Sequence, residues 1–463
     1  MLNPVTAVSS GCNPVTIVNA FNSVTVGIGG QFSTITDAVT ENTGTTIVER
    51  NEVDKSVSVS GATITGTGTN WEKDVAIGGG NGDEGMFLGD LIKLGDSRWY
   101  KIKHVNSDTE AVLYEDGPAG AASFTLARIT RKTILLYPGE YAETIPLEPG
   151  FDIVGVDRNA CILSENASSP SYPLGSWGEN YIANLTIGPT EAWGALDSMA
   201  GQNPFSDYWA GGDLQFSNVR IQQGNYDRTH AGGAGNWPMM PNGRTIYDNM
   251  DISVGGTFRD TINADTRTAA ETQVIFRNSV FEKIPDWNYS AGTIEPCLLV
   301  IPREATVSIQ SVKMRWAAGS GGASFGGLVG IRLGTTILNS QATNSILNVD
   351  GLTLECDETS FTAIEAKTAT ATVNIANSRI TSVGTTAKGV SAQGADVNIV
   401  NSDVTGVTSG VECTNAGSTV SLRSGTRVKG TTNSLVQSAG TLNKGSFCTS
   451  IGAETGTITA ADT

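Results

Sequence analysis

Among the carboxylates of the glycine-rich middle of the chain are Asp207, Asp227, Asp260, Asp265, Glu282 and Asp286. Interleaved with them are Trp193, Tyr208, Trp209, Tyr226, Trp237, Trp287 and Tyr289. A pair of carboxyl groups held in unlike environments can divide the work of general acid and general base. Separations of about 5–5.5 Å suit glycosidic cleavage with retention, and about 6.5–9.5 Å cleavage with inversion. Indole and phenol rings join an apolar face to a polar edge, which suits sugar rings and equally suits burial between subunits. The catalytic candidates are Asp207, Asp227, Asp260 and Asp286. The seven aromatic residues are the candidates for glycan contact. The bland reading of such loop carboxylates is a solvated surface, since any acidic chain offers them.

What would hold these residues is visible in a repeated phrase. VNIANSRI begins at Val373 and VNIVNSDV at Val397. Looser copies are NYIANLTI at 180, LQFSNVRI at 214, TIYDNMDI at 245, VIFRNSVF at 274, VSIQSVKM at 307 and LNVDGLTL at 347. Position five is Asn184, Asn218, Asn249, Asn278, Asn377 or Asn401 in six copies, with Ser311 and Gly351 in the other two. Asn and Gly enter the left-handed backbone region at least cost, so this position predicts a sharp bend between two strands. In the most regular coils, RITSV and KGVSA follow the first octet, and DVTGV and SGVEC follow the second. A looser coil reads VSL, TRVKG and NSLVQ at 420–422, 426–430 and 433–437. Three short alternating strands per coil of about 24 residues predict an all-β, three-faced parallel β-helix with an apolar core running along it.

The spacing of the octets locates the embellishments. Their starts are 34, 31, 29, 33, 40, 26 and 24 residues apart. The last coils are therefore nearly bare and read as plain scaffold, whereas the insertions cluster between about 188 and 346, at 188–212, 222–243, 253–267 and 282–296. Function in such a fold belongs on the turns that have grown. All four insertions follow the octet, so they leave from one corner and converge on one side.

The start of the solenoid has its own signals. In GGQFSTITDAVTENTG (29–44), Phe32, Ile35 and Val39 fall at helical spacing and predict a helical cap. Residues 50–131 differ in character: SVSVSGATITGTGTNW, GDLIKLGDSRWYKIKHVNSDTEAVLY and SFTLARI read as alternating strands with hairpin turns, hence a small β-barrel-like module inserted into the first coil. The solenoid then occupies 29–49 and 132–463, and residues 1–28 read as an N-terminal arm or virion anchor.

The phrase F-x-T-I-x-x-A at 32–38, then I-x-x-x-P-G-x-Y-x-E at 134–143 and V-G at 154–155, resembles the opening coil of pectin-methylesterase-like and pectate-lyase-like β-helices. The same opening is common in phage tailspikes and related virion spikes, and the GTGTxW and WYKIxxVxSDT phrases of the module are similar to short modules of phage tail proteins. The esterase phrases GxVDFIFG and LGRPW and the lyase phrase RxPxxR are absent; GGTFRDTINA (255–264) is a faint echo of the first. The resemblance implies a right-handed parallel β-helix and a tailspike-like virion protein, a homotrimer, joined to other virion proteins through its N-terminal region and adsorbing to a host-surface polysaccharide. A polysaccharide-degrading tailspike is the alternative, and an exported bacterial adhesin a weaker one.

Composition narrows the partners. With 29 Lys+Arg against 46 Asp+Glu the net charge is −17, which repels nucleic acid and disfavours a polyanionic ligand unless a local basic patch compensates. No apolar run reaches the roughly 18 residues of a membrane span, and no signal peptide stands at the start, so localisation in a virion assembled in a host cytoplasm is expected. Six scattered cysteines and only His104 and His230 form no metal pattern; buried thiols, no metal and no cofactor are expected.

Overall fold

The computed structural model describes residues 22–43, 45–51, 55–71, 90–95, 99–113, 116–143, 145–147, 150–164, 174–176, 179–190, 209–210, 213–223, 244–254, 258–259, 273–283, 297–301, 306–316, 328–333, 344–357, 359–367 and 370–461. It is a parallel β-helix. Each octet pairs with the next in parallel and in the expected register: Asn180 with Leu214, Leu214 with Thr245, Thr245 with Val274, Val274 with Val307, Val307 with Leu347, Leu347 with Val373, and Val373 with Val397. These strands belong to a first face of 14 strands, from Ser23–Val26 to Ile458–Ala461. The octet's second half starts the second face, where Arg379–Ser382 pairs with Asp403–Gly406. The third face carries Phe361–Ala366, Lys388–Ala392 and Ser409–Cys413 in parallel.

The corner between the first two faces is the bend. Asn184, Asn218, Asn249, Asn278, Ser311, Gly351, Asn377 and Asn401 all take positive φ, between 46° and 72°. Short polar side chains suit this corner twice over, because the amides also bond from coil to coil. The Asn218 amide donates to Asn184 Oδ1 at 2.8 Å, Asn249 to Asn218 at 3.1 Å, and Asn401 to Asn377 at 2.7 Å. Asn278 and Asn377 instead donate to Asp248 and Asp350, at 3.1 and 2.8 Å.

Inside, alternation sends one side of every strand into a single core from Val24 to Leu442. Phe216, Tyr247 and Phe276 stack along it with ring centroids 5.4 and 4.8 Å apart, and Phe281 meets Phe276 edge-on at 5.1 Å. Each such contact adds about 0.5–1.5 kcal/mol beyond the area buried. Cys161, Cys356 and Cys413 are buried in this core, and burial pushes the Cys161 and Cys413 thiols up from their ordinary value. Thiols held protonated in this way are poor nucleophiles.

The opening phrase of the solenoid is scaffold. The cap is the helix Ile35–Asn42, its first turn held by Thr34, which accepts from Asp37 N at 3.0 Å. Glu143 closes the same end: its carboxylate accepts from Ile35 N (2.9 Å), Thr36 N (2.8 Å) and Thr36 Oγ1 (2.6 Å). The Tyr141 hydroxyl points at the carbonyls of Tyr137 (2.6 Å) and Val26 (3.1 Å). Gly155 is needed because a Cβ there would lie 2.2 Å from the Asn184 carbonyl oxygen of the next coil. Asp152, on the third strand of the first face, accepts from Arg131 at 2.5 and 2.9 Å, yet burial still lifts its carboxyl above the ordinary range.

Three boundaries differ from the sequence expectation. Ser23–Val26 pairs with Thr133–Leu136, so these residues form the first rung and are no part of an arm; residues 1–21 lie outside the described residues. TRVKG and NSLVQ are one strand, Arg427–Gln437, which continues round the corner from the second face to the third. The inserted module spans strands from Ile47–Asn51 to Thr125–Ile129, with its own core around Val57, Ile64, Trp71, Tyr100, Ile102 and Leu113. It is an antiparallel sheet; among the described residues its two outermost strands, Ile47–Asn51 and Gly120–Ala122, do not pair to close a barrel. A buried ion pair at 2.6 Å between Lys101 and Glu179 fixes it to the solenoid.

Candidate functional site

On the bare coils the outward side of the first face carries Asn348, Asn374 and Asn398 one above another. Alternation places them there, since Leu347, Val349, Val373, Ile375, Val397 and Ile399 take the inward positions. Asn374 Nδ2 donates to Asn348 Oδ1 at 2.9 Å, and Asn398 Nδ2 to Asn374 Oδ1 at 3.1 Å. A carboxamide has two donor hydrogens and two acceptor lone pairs, so after these bonds each keeps at least one donor and one acceptor to offer outward. The ladder lines an open groove of about 540 Å³ that runs from Ser308 and Gln310 past Asp350 to Arg423. It crosses strands of five successive coils, a length of about 20 Å at a strand spacing of about 4.8 Å. A long, shallow trough whose central row of carboxamides alternates donors and acceptors at a fixed step, with one charged residue of each sign (Asp350 and Arg423) on its lining, can bind hydroxyl groups repeated along a linear chain.

A second groove, of about 370 Å³, lies on the second face of the same coils, lined by Arg379, Thr381, Val383, Asp403, Arg427 and Lys429, with Thr405 between the threonine and the lysine. The polyanion-disfavouring charge of the whole chain is thus locally reversed.

The loop candidates stand differently. Asp207, Asp227, Asp260, Asp265, Asp286, Trp193, Tyr208, Tyr226, Trp237, Trp287 and Tyr289 lie outside the described residues. Trp209 is described through its backbone: Trp209–Ala210 pairs in parallel with Trp99–Tyr100, so the first large insertion reaches the strand Trp99–Ser107 of the inserted module. Glu282 is on the second face, half-exposed, with Arg315 Nη1 3.7 Å from its carboxylate. The amide ladder escaped the sequence reading although its signal is there, as Asn in the second place of three consecutive octets. The coils expected to be plain scaffold carry both grooves.

No family model and no curated protein matches the chain. Among solved structures, the catalytic unit of a thermostable GH87 α-1,3-glucanase from Streptomyces thermodiastaticus strain HF3-3 is 11% identical over 90% of both chains, with a TM-score of 0.37. The A-module of the Azotobacter vinelandii mannuronan C-5 epimerase AlgE6 is 12% identical over 72% of this chain and 91% of its own, with a TM-score of 0.31. At such scores neither likeness carries an argument, and the fold stands on its own strand pairing.

Proposed function

We propose that this chain is a tailspike-like structural protein of a phage virion, a homotrimer that adsorbs to a host-surface polysaccharide through its β-helix. The observation that carries the glycan part is the amide ladder in the first-face groove, which offers spare donors and acceptors at each coil. The virion part rests on the opening phrase of the solenoid and on the inserted module. A parallel β-helix is a stiff rod, which suits a spike that must hold a binding surface away from a particle. The N-terminal region is the attachment to other virion proteins.

The test is binding of the purified protein to capsular polysaccharide or lipopolysaccharide from candidate hosts, with reducing ends measured in parallel. Binding without new reducing ends supports an adsorption spike. Release of oligosaccharide makes the chain a depolymerase and returns attention to the loop carboxylates. An Asn374→Ala/Asn398→Ala variant removes ladder bonds and contacts together, so about tenfold weaker binding is expected. Unchanged affinity in that variant removes the first-face groove from the proposal, and sedimentation as a monomer removes the trimer.

A further inference from the structure

The second-face groove brings together residues far apart in sequence. Arg379 pairs with Asp403 and Asp403 with Arg427, so the three stand one above another on successive coils. Thr381, Thr405 and Lys429 form a parallel row two residues along. Arg379, Asp403, Arg427 and Lys429 are all exposed, and none makes an ion pair with a described residue. Charged neighbours on this groove are otherwise few: Glu355 precedes Thr381 in the row, and Lys388 on the third face is held by Glu412 at 2.8 Å. The end at Arg427 and Lys429 is therefore the most positive.

Two guanidinium groups two coils apart stand about 10 Å from each other, and Lys429 lies about 7 Å along the strand from Arg427. Arg presents a planar fork that matches an oxyanion with two hydrogen bonds. Thr381 and Thr405 add hydroxyl groups, and Val383, more than half exposed, supplies an apolar spot against which the C–H face of a ring can rest. Cations, hydroxyl groups and a small apolar surface together are the complement of an acidic sugar. We infer that this groove is a subsite for the charged groups of an anionic polysaccharide, carboxylated or sulfated. The inference rests on the reading of the protein as a polysaccharide binder and adds the class of polysaccharide.

The experiment uses the full chain and three probes: a polyuronate oligosaccharide, the same oligosaccharide with its carboxyls reduced to alcohols, and a sulfated form of the reduced one. Wild type is expected to bind at least one charged probe about tenfold more tightly than the reduced probe, and which one it prefers tells carboxylate from sulfate. Arg379→Ala/Arg427→Ala/Lys429→Ala should bind all three alike. Asp403→Asn, which removes the carboxylate between the two arginines, should bind the charged probe about fivefold more tightly, the equivalent of one nearby unit charge in water. A gain of this kind cannot come from misfolding. No preference for charge in wild type, or a preference kept by the triple variant, overturns the inference. Loss of the effect of Asn374→Ala/Asn398→Ala with the charge preference intact overturns the first-face groove alone.

Discussion

Asn377 tests the bend directly. Its φ of 50° lies in the left-handed region, its amide donates to Asp350 Oδ1 at 2.8 Å, and its Oδ1 accepts from Asn401 at 2.7 Å. Alanine in that conformation costs roughly 1–2 kcal/mol. The two lost hydrogen bonds, at the lower end of their range because the site is exposed, add roughly 1 kcal/mol together. Asn377→Ala should therefore loosen its coil by about 2.5 kcal/mol, or 50–100-fold in local opening. Asn377→Gly loses the same hydrogen bonds but relaxes the backbone, at a cost of about 0.5 kcal/mol in unfolded-state entropy. It should be milder by about 1 kcal/mol, roughly fivefold. Because a solenoid opens locally, global melting is the wrong readout. Hydrogen exchange of the amides of Asn377 and Arg379, which bond to the carbonyls of Val400 and Leu352, reads the right coil. If the glycine variant exchanges as fast as the alanine variant, the corner does not select residue five by its backbone.

Phe276→Ala removes a buried ring that touches both Tyr247 and Phe281, and should cost about 3–5 kcal/mol, seen as an earlier urea transition for the middle coils. Glu143→Ala should speed amide exchange across Ile35–Asn42 without touching the last coils, since three hydrogen bonds to the start of that helix disappear. At the far end, Lys444 lies in line with the inward Leu422 and bonds Glu454 Oε1 and Ser450 Oγ, both at 2.7 Å. The Lys444 hydrogen bond holds the Glu454 carboxyl below its ordinary value of 4.5. A depressed folded value means the contribution is present above 4.5 and is lost as pH falls through the folded value below it. Protection of the Thr449–Thr455 amides, taken relative to their intrinsic exchange rate at each pH, should thus fall on acidification below that point, and Lys444→Met should abolish the step.

Local signals carried most of the fold. Octet spacing predicted which residues pair from coil to coil, because a parallel ladder in register requires the same inward residues at the same step. Residue five announced its left-handed corner because few side chains tolerate one. The helical cap was legible from Phe32, Ile35 and Val39, although Glu143, which secures it from more than 100 residues away, was not.

By itself, then, the sequence determined the repeat, the inward and outward sides of each strand and the foreign character of the inserted module, since all three depend on neighbours within a few residues. Only the tertiary structure decided what the outward sides become. Asn348, Asn374 and Asn398 are ordinary polar residues until coiling stacks them into hydrogen-bonding distance. Arg379, Asp403, Arg427 and Lys429 are scattered charges in an acidic chain until strand pairing puts them on one face. A surface depends on contacts between residues a whole coil apart, and the register that creates those contacts exists only once the chain has wound.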